Sequence, residues 1–192
     1  RVEAHNNEIE ELKEAFGAAK PGAIVKYFAY VLASSTYPEG FSHDAKLAYV
    51  PESKQLVVEF DLPDFSFIPE IGAYKYLKAK DEIAISPRSS TQRKALYASV
   101  IAQVTIRTIH ELFEADRTNH VDTVVFNGFV EAIDKATGRN VRACVVTVRT
   151  TRDTFEGLDL RRLDPAACLK FLSASFSKSP DELAPVRPVI EF

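Results

Sequence analysis

Two apolar runs, residues 121–134 and 141–150, are separated only by Lys135-Ala136-Thr137-Gly138-Arg139-Asn140, and this pattern most limits the folds open to the chain. Both runs are rich in Val, Phe and Thr, which fit a pleated surface, and Ala136-Thr137-Gly138 supplies the reversal. One long β-hairpin is expected. Earlier, residues 45–50 and 55–62 alternate like two strands joined by Pro51-Glu52-Ser53-Lys54, giving a second antiparallel hairpin. Residues 73–80 make a third strand, and residues 83–85 a short edge strand.

Helical periodicity fills the rest. Ile9, Leu12 and Phe16 recur at helical spacing among Glu8, Glu10, Glu11, Lys13 and Glu14, so residues 2–18 read as an amphipathic helix. Pro21 opens a second helix through Leu32, too apolar to stand in water. Ser89 or Ser90 caps a long helix to about Ala115, because a Ser hydroxyl accepts a bond from an unpaired first-turn N–H. Its apolar face runs through Ala95, Ala98, Ala102, Ile106, Ile109 and Phe113, opposite a stripe of Gln103, Arg107, His110 and Glu114. Asp164 caps a C-terminal helix with Pro165 at its first position, running to about Phe176. Ser179 to Leu183 forms a short turn, and Pro185 and Pro188 mark an exit linker.

These elements predict an α+β fold: a mostly antiparallel sheet of about five strands packed by a long central helix, with a helical N-terminus and a short C-terminal helix. The expected organisation is a helical arm over residues 1–20, one domain over 21–184, and a linker over 185–192. At 192 residues, with 46% hydrophobic and 27% charged composition, the chain can bury one ordinary core. No apolar run is long enough for a membrane span and the N-terminus has no apolar signal region, so a soluble, cytoplasmic protein is expected.

Charge is unevenly spread. The formal net charge is −3, yet residues 75–107 carry +5 and residues 135–162 carry +4, leaving −12 elsewhere. Two basic features can bind phosphates. The hairpin tip presents Lys135, Arg139 and Arg142, and a basic β-ribbon can track a nucleic-acid backbone. The third strand mixes Tyr74 and Tyr76 with Lys75, Lys78 and Lys80, a pattern compatible with stacking on unpaired bases but better matched by core tyrosines bordered by lysines. Arg88 and Arg93 extend the first basic stretch. Arg149 and Arg152, flanking Thr150-Thr151, form a candidate phosphate grip.

Catalytic patterns are wanting. His5, His43, His110 and His120 are scattered, with no pair at ligand spacing, and there is no GxGxxG, P-loop or zinc-finger spacing. Cys144 in an apolar strand and Cys168 in a helix read as buried reduced thiols rather than a disulfide or zinc site. The order helix, three strands, long helix, strand is similar to the core of PD-(D/E)xK nucleases. That site needs one carboxylate at a strand start and Glu-x-Lys or Asp-x-Lys on the next strand. Pro63-Asp64 is present, but the following strand puts Lys75 and Lys78 where the second carboxylate belongs.

A family resemblance is carried by Tyr37-Pro38-Glu39-Gly40-Phe41, Ala48-Tyr49-Val50-Pro51-Glu52, Leu56 to Pro63, Tyr74 to Glu82, Val100 to Val104, the 121–150 hairpin, Asp164 to Leu169 and Ala184 to Phe192. As an ordered set, these blocks resemble the region upstream of the nuclease domain in actinobacterial restriction system proteins of the Mrr type. The family's downstream domain carries an Asp-Gly-Gly-Val-Asp stretch and Gln-Ala-Lys to hold a divalent metal; neither string occurs here. The resemblance therefore implies a fragment of a phage-defence endonuclease that is not itself catalytic, with no cofactor in this chain and a divalent metal expected only in the missing nuclease domain. Three roles are open: an accessory module binding DNA, an oligomerisation or scaffold module associating through its N-terminal helices, and a small-ligand sensor with a nucleotide pocket between sheet and long helix.

Overall fold

The computed structural model describes residues 2–190, with side chains from residue 7 onward; the His5 side chain and the linker's Glu191 and Phe192 lie outside the described residues. In chain order the helices and strands are α1 (Val2–Gly17), α2 (Pro21–Ala33), β1 (Ala45–Val50), β2 (Gln55–Leu62), β3 (Ile71–Leu77), β4 (Glu82–Pro87), α3 (Ser90–Ala115), β5 (Thr123–Ile133), β6 (Asn140–Thr151), α4 (Arg152–Glu156), α5 (Pro165–Phe171) and β7 (Ser175–Phe176). Five strands form the main sheet in the order β1-β2-β5-β6-β7. Every pairing in it is antiparallel except β2 with β5. A parallel pair needs a crossover of a dozen or more residues, and α3 lies within it.

The expected caps are in place. Ser89 accepts from the Gln92 backbone while the Gln92 side chain accepts from the Ser89 backbone, closing a capping box that fixes the start of α3. Asp164 accepts from the Ala167 N–H with Pro165 at the first helical position. On one sheet face, Leu56, Val58 and Phe60 of β2, with Val124 and Phe126 of β5, pack into one core with Ile101, Ile109 and Leu112 of α3, Phe28 of α2 and Leu169 of α5. These side chains form the packed layer between the sheet and the long helix. Tyr97, wholly buried on α3, donates to the Pro63 carbonyl at 2.8 Å, and burial pushes its phenol well above the usual range.

The structure corrects several sequence expectations. The third strand does not join the main sheet: β3 and β4 pair only with each other, as a separate two-stranded ribbon. With β1 and β5 on the two edges of β2, β3 cannot pair with the strand that precedes it in the chain. Tyr74 and Tyr76 are accordingly exposed, not core residues. The C-terminal helix stops at Phe171 and Ser175–Phe176 adds to the sheet edge as β7, while α4 was not foreseen.

Residues 185–190, in the segment expected as an exit linker, are docked on the sheet face opposite α3. The Val186 N–H donates to the Cys144 carbonyl at 2.8 Å. Asn127, fully buried in β5, accepts from the Thr147 hydroxyl at 2.6 Å and donates to the Ile190 carbonyl at 2.7 Å, and the Val189 N–H donates to Thr147 at 3.1 Å. The buried amide and hydroxyl are thus both matched with partners. Replacing Asn127 with alanine should cost about 1 kcal/mol and raise hydrogen exchange at Val189; unchanged exchange there would show that the clamp does not hold the segment.

Candidate nucleic-acid interface

The ten basic side chains singled out from the sequence fall into two groups. Four arginines are committed to intramolecular bonds, as suits a planar fork with several donors. Arg88 donates to the carbonyls of Pro69 and Ile71 at the base of the β3–β4 ribbon. Arg93 reaches the Ile68 carbonyl at 3.0 Å and Glu70 at 3.2 Å, with its guanidinium over the Phe65 ring. Arg142 is not at the hairpin tip; it lies across Phe129 at 3.8 Å and bridges to Glu59 at 3.2 Å and Asp61 at 3.0 Å on β2.

Arg152 is the most enclosed of them. It bonds Asp116, Glu156 and the carbonyls of Phe113 and Val121, and its exposed neighbour Thr151 accepts from the Thr154 N–H to cap α4. Arg149 stands on β6 opposite Val125, exposed and without an ion pair among the described residues. The two arginines therefore do not form a phosphate grip.

Lys75, Lys78, Lys80, Lys135 and Arg139 are all exposed, and none makes a side-chain hydrogen bond or ion pair among the described residues. Topology roots the two segments that carry them at one end of the main sheet. Because β2 and β5 run parallel in register, with Leu62 beside Val130, the chain leaves both strands at the same end of the sheet. From β2 it passes through residues 63–70 into the ribbon carrying Lys75, Lys78 and Lys80. From β5 it enters the turn carrying Lys135 and Arg139, held by the Asp134 side chain accepting from the Ala136 N–H and the Thr137 hydroxyl. These two bonds also hold the Asp134 carboxyl below its ordinary range. Arg149 is set apart, eight residues or about 27 Å back along β5 from Ile133.

Between these two projections the surface is acidic. Asp61, Asp64 and Glu131 line a cavity with Gly40, Ser42 and Phe67. Asp64, the carboxylate closest to a nuclease pattern, accepts from the Ser66 N–H and hydroxyl to cap a single 3-10 turn. Among the described residues, no three His, Cys, Asp or Glu side chains converge as a metal site. The geometry suits contact at the two tips, where phosphates meet unpaired cations, and disfavours phosphate over the carboxylates between them.

Sequence reasoning missed two features. The Asn127–Thr147 pair was signalled by a lone amide inside the apolar run Val124 to Val130. The exposure of Ile83 and Ile85 had no local signal, because only the pairing of the main sheet excludes their ribbon from the core. His120, expected at the surface or in a cap, packs edge-on against Phe16 at 4.9 Å. Both cysteines are buried, and burial pushes the Cys168 thiol above its usual range. Among the described residues, no helix is long and apolar enough to cross a membrane. Comparisons with protein-family models, with curated proteins and with solved structures find no match to this chain.

Proposed function

We propose that this chain is a non-catalytic accessory module of an Mrr-like restriction endonuclease, contacting duplex DNA through the two basic projections at one end of its sheet. Cleavage then belongs to a downstream nuclease domain with its divalent metal, and the role in phage defence is a cytoplasmic one. The observation that carries this reading is the division of cations: four arginines are bonded internally, while Lys75, Lys78, Lys80, Lys135 and Arg139 stand on segments rooted at one end of the sheet, without partners among the described residues. Side chains left free at matched strand ends can neutralise phosphates without breaking any internal bond. The order of sequence blocks resembling the family supplies the rest.

Phosphate contacts show themselves through salt. Each neutralised phosphate contributes about −0.9 to the slope of log affinity against log salt concentration. Replacing Lys75, Lys78 and Lys80 with alanine should make that slope shallower by about 2 to 3, whereas Arg149→Ala, at the opposite end, should leave it unchanged. Absence of DNA binding at low salt, or an equal effect of the two variants, would remove the proposal.

A further inference from the structure

The β3–β4 ribbon has a second face that the lysines do not explain. In its register Tyr74 lies opposite Ile85 and Tyr76 opposite Ile83, so these four side chains form a two-by-two block on one face. They are 66%, 57%, 56% and 67% exposed in that order; Ile133 and Phe171 are as exposed, but each stands alone on its element, whereas these four adjoin one another. Alternation along β3 puts Lys75 on the reverse face, and Lys78 and Lys80 fall in the turn. The ribbon's outer edges are also unpaired among the described strands. A two-stranded ribbon of this kind is marginal in water unless something packs against it.

We propose that this face docks against the same face of a second copy of the chain, ribbon on ribbon across a two-fold axis. Area supports this occupant. At roughly 200 Å² for a side chain of this size, the four exposures leave on the order of 500 Å² per ribbon, so two facing copies bury about 1,000 Å², where specific interfaces begin. The block is self-complementary, each tyrosine being matched by an isoleucine, as a two-fold contact requires. Nucleic acid fits the face less well, since half of it is isoleucine, which offers no ring for a base to stack upon.

The proposal moves self-association away from the N-terminal helices. There Phe16 of α1 already packs against Tyr27 at 4.3 Å, and Lys26 of α2 bonds Glu8 at 2.6 Å. It does not depend on the DNA reading.

The test is mass in solution, by sedimentation of the full chain across the micromolar range. The wild-type chain should sediment as a dimer. The double variant Tyr74→Ser with Ile85→Ser should raise the dimer dissociation constant by about 100-fold or more with an unchanged unfolding transition, and Ile83→Lys alone should act in the same direction. A monomeric wild type, or a dimer that survives both variants, overturns the proposal. So does a monomeric wild type in which the double variant loses only binding to unpaired oligonucleotides, because the face would then serve bases. DNA affinity and mass are separate readouts, so either reading can fail alone.

Discussion

Arg152→Ala is expected to lower stability in urea unfolding by about 3–5 kcal/mol, the largest effect of any polar substitution in this chain. The Arg152 side chain is 12% exposed and Asp116 is 0% exposed, with 2.5 Å between Nη2 and Oδ2. Asp116 sits where α3 ends, and its carboxylate also accepts from the backbone N–H groups of His120 and Val121 as the chain turns into β5. Arg152 ties the same corner from the other side through the carbonyls of Phe113 and Val121, with its guanidinium over the Phe113 ring. Removing the arginine leaves a buried carboxylate and unmatched carbonyls, a loss greater than the net worth of the intact pair. Arg152→Lys should recover only a fraction of it, since an ammonium cannot span the same set of acceptors. A loss below about 1 kcal/mol would mean that the corner behaves as a surface ion pair.

The second large effect is expected at Gly128→Ala, about 2–3 kcal/mol. A Cβ at Gly128 would lie 2.6 Å from Leu62 Cδ1 and 2.6 Å from Val146 Cγ1, with Phe126 Cε1 at 3.1 Å. Leu62 can rotate away, but Val146 is β-branched and held in the middle of β6, so the strands must move apart. The register of β5 and β6 also shifts between Gly128 and Phe129, where a bulge bends the strand. Glycine is needed here for close approach of side chains across three strands. Thermal unfolding of the alanine variant at or above the wild-type midpoint would contradict this account.

Much of the fold was legible because its signals are local. Gln92 three residues after Ser89, Pro165 after Asp164, and the two alternating hairpins each fix an element through bonds within a few residues. What was not legible depends on partners far away in sequence. Nothing within residues 71–87 tells that β2 has no free edge, so the same alternation that forms a core strand elsewhere forms an exposed ribbon here. The candidate interface divides in the same manner. Lys75, Lys78, Lys80, Lys135 and Arg139 were singled out from linear charge, but the bonding of Arg142 and Arg152 was not legible, because Glu59, Asp61 and Asp116 lie tens of residues from the arginines they hold.

The clasp over the outer sheet face has a mechanical consequence. Tension applied at Ile190 falls first on the bonds to Asn127, Thr147 and Cys144, which sit at successive points across two central strands and would break in sequence. Only when all three have given way does load pass to the Ser177–Ala184 bond and the β6–β7 pairing behind it. The segment thus acts as a tear strip: it yields in small steps and shields the sheet beneath from a sudden pull.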